Sequence, residues 1–123
     1  MSRQLTTKVV ASLAFTMIAT AVFAHAQLQK AVPAVGSVVT ASPKEIRLKF
    51  SEGVEPHFSG IALASASGEA VAVGKAGVDP ADNSVLVVAV GQPLKPGIYK
   101  VNWHAVSVDT HRTQGSFEFT VQP

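Results

Sequence analysis

The apolar and polar positions divide the chain into two unlike parts. Val9 to Phe23 is an almost unbroken apolar run, with Arg3 and Lys8 on its N-terminal side and small residues after it. Everything downstream is built from short segments. Glu45-Ile-Arg-Leu-Lys-Phe50 alternates polar and apolar residues, which predicts a strand with one buried face. Ile98 to Trp103 and Ser116 to Val121 alternate in the same way. Ile61 to Leu63 and Ala70 to Val73 predict two more strands, closed by Ser65–Gly68 and Gly74–Gly77. Val85 to Val90 is continuously apolar and rich in β-branched residues, and it reads as a central strand buried on both faces. Val38-Val39 lies between the proline-bearing stretches Pro33–Ser37 and Ala41–Pro43. Proline lacks a backbone donor, so this segment reads as edge or loop. No helical apolar stripe appears after the first run. Strands this short, with turn signals roughly every ten residues, predict an all-β sandwich.

The first part has the layout of a secretory signal peptide: a positive start, an apolar stretch, then a small-residue cleavage site. Its apolar run of about 15 residues falls short of the roughly 20 needed to span a bilayer. The expected organisation is a leader over residues 1–24 and one domain over residues 25–123, placed in the periplasm. Two cuts satisfy the small-residue rule. A cut after Ala24 exposes His25, and a cut after Ala26 exposes Gln27.

Charge and composition narrow the field. Arg3 and Lys8 belong to the leader, and the rest carries eight basic and eight acidic residues. A near-neutral surface without a basic run argues against nucleic acid as a partner. It also gives no sign of a permanent dimer, so a monomer is expected. The chain has no cysteine, which excludes disulfides and thiolate metal sites, and both methionines, Met1 and Met17, lie in the leader. A domain of about 99 residues can fold on its apolar core alone. No nucleophile elbow, phosphate-binding glycine loop or catalytic carboxylate pair is legible, so no enzymatic activity is expected.

The candidate chemistry rests on histidine. Asp109-Thr110-His111 puts a carboxylate and an imidazole two residues apart. In extended chain they lie on one side, about 6.6 Å apart along the backbone. By itself this is a weak signal, and the bland reading is a polar turn before the last strand. His25 adds weight if it becomes the first residue, because an N-terminal His offers its α-amine and ring Nδ1 to one ion. The amine has an ordinary pKa near 7.7–8.0, so a metal can compete with the proton around neutrality. Two nitrogens from His25, one from His111 and the Asp109 carboxylate make a set suited to tetragonal Cu(II). His104 shares parity with Lys100 and Asn102 and reads as solvent-facing. His57 reads as an exposed loop residue, and Trp103 as core. Glu52, just past a strand end, is either surface charge or an acceptor that orients a ligand.

Several segments together resemble the CopC family of periplasmic copper-binding proteins. They are Phe23-Ala-His-Ala26, Pro33-Ala-Val-Gly-Ser37, Ile46-Arg-Leu-Lys-Phe-Ser-Glu52, Trp103-His-Ala-Val-Ser-Val-Asp-Thr-His111 and Gly115-Ser-Phe-Glu-Phe119. The resemblance spans the chain from His25 onward. It implies a Greek-key β-sandwich or barrel of cupredoxin-like form and a leader cut before His25. It further implies one Cu(II) ion held by His25, Asp109 and His111, with Glu52 beside the site. Some members carry a methionine-rich Cu(I) loop. The corresponding region, Asn83 to Trp103, has no methionine here, so a Cu(II)-only type is expected. The family step often has glycine between its Asp and His. Threonine resists positive φ, so an extended loop is expected at Thr110.

The function implied is a copper carrier or scavenger in resistance or homeostasis, with an inner-membrane transporter of the CopD type as a possible recipient. Two other readings compete. One is a histidine-brace copper oxidase, for which the domain is small. The other is a metal-free immunoglobulin-like interaction module, favoured if Gln27 is the first residue.

Overall fold

The computed structural model describes residues 25–123; the expected signal peptide, residues 1–24, lies outside the described residues. Among the described residues, nine strands form two sheets. They are β1 (Leu28–Val32), β2 (Val38–Val39), β3 (Glu45–Phe50), β4 (Gly60–Ser65), β5 (Ala70–Val71), β6 (Gly77–Asp79), β7 (Asp82–Ala89), β8 (Gly97–Val106) and β9 (Arg112–Val121). One sheet has the order β1-β3-β7-β6, and the other has the order β2-β9-β8-β4-β5. Every pairing is antiparallel except β2 with β9. The chain crosses between the sheets after β1, β2, β3, β5 and β7, giving the sandwich that the periodicity predicts, with the Greek-key form that the resemblance implies.

Strand periodicity explains the layers. In β3, Ile46, Leu48 and Phe50 are fully buried while Arg47 and Lys49 face outward. Leu86 and Val88 of β7 cover the same interior, and Val101, Phe117, Phe119 and Val121 meet them from the other sheet. Phe50 packs edge-on against Trp103, with ring centroids 5.1 Å apart, and Tyr99 stacks on Phe119 at 5.7 Å. Trp103 is half-buried against this core, as its parity predicts.

One expectation needs correction, and two strands add to the reading. Val85–Val90 is central in its sheet but not buried on both faces: Leu86 and Val88 point in, while Val85 and Val87 are half-covered. Its outer face is shielded only in part, because the outward neighbours on β3 are Arg47 and Lys49. Strand β1 and the short β6 were not predicted. Leu28-Gln-Lys-Ala-Val32 buries Ala31 and half-covers Leu28, which breaks strict alternation around an irregular register between Leu28 and Lys30. Glycine-bounded β6 offers too short a pattern to read. Val38-Val39 is the edge strand expected from its flanking prolines.

Outward from the four-stranded sheet, the charges pair. Arg47 bonds Asp79 and Glu45, and the Lys49 ammonium lies 2.8 Å from Asp82.

Candidate metal centre

Three stretches meet at one end of the sandwich: residues 25–27, the exit of β3, and the loop between β8 and β9. The first is fastened by its backbone. The Ser51 N–H donates to the Gln27 carbonyl at 2.9 Å, and the Gln27 N–H donates to Ser51 Oγ at 2.8 Å. Ser51 Oγ also bonds the His25 carbonyl, and Thr113 Oγ1 donates to the Ala26 carbonyl. Ala26 is fully buried. The exit of β3 is then tied to the hairpin loop. Val54 bridges Ser107, and the Val108 N–H donates to the Gly53 carbonyl at 3.0 Å.

The hairpin loop is a tight turn. The Thr110 N–H donates to the Ser107 carbonyl at 2.8 Å, and Thr110 has φ of 72°. The expected extended loop is therefore overturned. The left-handed residue, closing a turn between two ten-residue strands, costs a threonine roughly 1 kcal/mol or more. The turn, not a strand, brings Asp109 to His111: Asp109 Oδ1 lies 3.3 Å from His111 Nδ1.

The three residues expected at the site converge in part. The His25 and His111 rings meet edge-on with centroids 5.0 Å apart. Asp109 touches His111, and both side chains are about 40% exposed, at 41% and 37%. Glu52 is half-covered, and its Oε1 is buried without a hydrogen-bond partner. A buried carboxylate oxygen left unpaired is costly, so it marks a place where a donor or cation belongs. Among the described residues, no three His, Asp or Glu side chains are gathered tightly enough to make a ready-formed cage. His57 is exposed in the 3-10 turn Pro56–Phe58. His104 faces outward as its parity predicts, with its ring laid over Gly60.

Sequence reasoning missed Ser107. This residue is fully buried, and its Oγ donates to Asp109 Oδ1 and accepts from the His111 N–H at 3.2 Å. The Ser107 hydroxyl, and after it His111, holds the Asp109 carboxyl below its ordinary pKa. The signal was present as a hydroxyl two residues before Asp109, a spacing at which side chains close local turns.

Known proteins resemble this chain in sequence and fold. A model of the CopC domain matches residues 28–122. Protein YobA of Escherichia coli strain K12 is 41% identical over 112 residues, covering 91% of this chain and 90% of that protein. The crystal structure of CopC from Methylosinus trichosporium OB3b superposes with a TM-score of 0.75 at 34% identity, covering 80% of this chain and 95% of that one. PcoC, a methionine-rich copper resistance protein from Escherichia coli, superposes with a TM-score of 0.73 at 38% identity, covering 80% of this chain and all of that one. The matched region includes Glu52, Asp109 and His111, and it begins three residues after His25. With the domain matched almost end to end and the sandwich shared, the chain belongs to the CopC family.

Proposed function

We propose that this protein is a periplasmic Cu(II)-binding carrier. One ion is held by the amine and imidazole of an N-terminal His25, with Asp109 and His111 completing the set. The observation that carries the reading is the 5.0 Å approach of the His25 and His111 rings, which come from opposite ends of the domain. Two imidazoles at that distance, a carboxylate against one of them and a free amine suit a tetragonal Cu(II) ion. His111 Nδ1 is buried beside Asp109. The Asp109 carboxylate, 3.3 Å away, keeps these two proposed donors together.

Glu52 fits the same reading. It follows Ser51, whose hydroxyl holds the His25 carbonyl, and its unpaired Oε1 supplies an acceptor for the amine or negative charge beside the cation. The burial of Ala26 supports a leader cut after Ala24, because a cut after Ala26 would strip a fully buried residue from the core. Until that cut, the His25 nitrogen is a peptide nitrogen and no chelate forms.

The Cu(II) preference rests on the donor set. PcoC is described as methionine-rich, whereas this chain has no thioether after Met17. Soft sulfur ligands favour Cu(I), and nitrogen and oxygen ligands favour Cu(II). Without a sulfur donor for the reduced ion, the role proposed is to hold and hand on Cu(II). An inner-membrane copper transporter is the proposed recipient.

The test is a Cu(II) titration of the exported protein, with its first residue determined by mass spectrometry. One equivalent bound at a protein beginning with His25, and a loss of at least tenfold in affinity in His25→Ala, is expected. A His25→Ala protein binding Cu(II) as tightly as wild type overturns the assignment.

A further inference from the structure

We infer that Ser107 is a positioning residue that sets the angle between the Asp109 carboxylate and the His111 imidazole. The inference rests on the metal-site reading above and deepens it. Ser107 is not one of the proposed ligands, yet it is fully buried and every polar contact of its side chain runs to Asp109 or His111. Its hydroxyl has one hydrogen. The closest acceptor for it is Asp109 Oδ1, with the His111 carbonyl more distant at 3.2 Å. The oxygen's lone pairs remain to accept the His111 N–H. One buried atom therefore grips a side chain on one side of Thr110 and the backbone on the other.

The backbone of Ser107 repeats the grip. Its N–H donates to the His111 carbonyl at 2.9 Å, and its carbonyl accepts from Thr110. It also bridges Val54, two residues past Glu52. The Asp109 side chain is otherwise 41% exposed and free to swing about its χ1 bond. With the hydroxyl in place, Oδ1 is held toward His111, and the carboxylate is ordered before an ion arrives. Residues that order metal ligands in this way typically change affinity by about 10–100-fold when removed.

The experiment uses the exported protein beginning at His25 and inorganic Cu(II), titrated against a competing chelator. Ser107→Ala is expected to weaken binding about tenfold and to change the Cu(II) electron paramagnetic resonance hyperfine splitting. Ser107→Thr keeps the hydroxyl and is expected to stay within about threefold of wild type. In an Asp109→Ala background, Ser107→Ala is expected to cost less than about twofold, because the carboxylate it positions is gone. Wild-type affinity and spectrum in Ser107→Ala overturn the inference. So does a Thr variant as weak as the Ala variant, or a full tenfold loss that persists without Asp109. If Asp109→Ala and His111→Ala both bind as wild type, the site assignment itself fails, which is a separate result from failure of Ser107 alone.

Discussion

At the scale of single residues, backbone conformation and one hydroxyl decide most of what happens at the β8–β9 loop. Thr110 occupies a left-handed conformation that its branched Cβ resists, and glycine meets no such resistance. Thr110→Gly is therefore expected to raise the melting temperature by a few degrees while leaving Cu(II) affinity within about threefold. Thermal unfolding followed by circular dichroism checks this, and a lower melting temperature would contradict it. Gly115 and Gly60 make a second comparison. A Cβ on Gly115 would sit 2.7 Å from Trp103 Cζ2, and one on Gly60 would sit 2.8 Å from His104 Cε1. Trp103 is backed by Phe50, whereas the His104 ring can lift toward solvent. Gly115→Ala should cost about 1–3 kcal/mol by overpacking, and Gly60→Ala less than about 1 kcal/mol. Denaturant titration of both variants tests the order, and equal losses would show that Trp103 is not wedged.

At the scale of elements, the N-terminal stretch behaves as part of the sandwich. Ala26 is buried, its carbonyl is held by Thr113 on β9, and Ser51 at the end of β3 holds both Gln27 and His25. A protein beginning at Gln27 loses that burial and the Thr113 bond. The bond alone is worth about 1 kcal/mol. Its melting temperature should fall by several degrees relative to the protein beginning at His25. Its Cu(II) binding should fall by far more, since the amine and one imidazole leave together. Calorimetry of the two forms separates the effects, and unchanged stability would mean that residues 25–26 are not packed as described. On the proposed reading, the same fastening lets a chain terminus serve as a ligand. A terminus that frayed would have to be ordered on binding, at a cost of roughly 1–2 kcal/mol for each residue fixed.

At the scale of the whole molecule, charge pairing contributes to acid sensitivity. Asp82 is held well below the ordinary carboxylate range by Lys49, then by the Ser84 hydroxyl and backbone N–H. Asp79 is also lowered, first by the Ala81 N–H and then by Arg47. Their folded pKa values lie below the unfolded ones. The stability they supply is therefore present above about pH 4 and is lost as pH falls further, through the folded values. The melting temperature should change little between pH 7 and 5 on their account, then drop on acidification. Asp82→Asn should flatten that drop, and a variant as acid-sensitive as wild type would show that other groups carry it.

The fold was legible because strand periodicity is local. Glu45–Phe50 and Ile98–Trp103 announce a buried face by alternation alone, whichever strands they later pair with. The short β6 and the irregular β1 were not legible, because their burial is decided by neighbours in the sheet. The donor types available to the proposed site were also set by composition: histidine and carboxylate, with no sulfur after Met17. What the sequence could not decide was distance. Asp109 and His111 meet through a turn with a left-handed threonine, where local propensity favoured extended chain. His25 reaches His111 only because the backbone of residues 25–27 is pinned between β3 and β9. Ser107 took its place for the same reason. Alternation is written residue by residue, but a contact between chain ends exists only after the sandwich has closed and buried the groups that hold it.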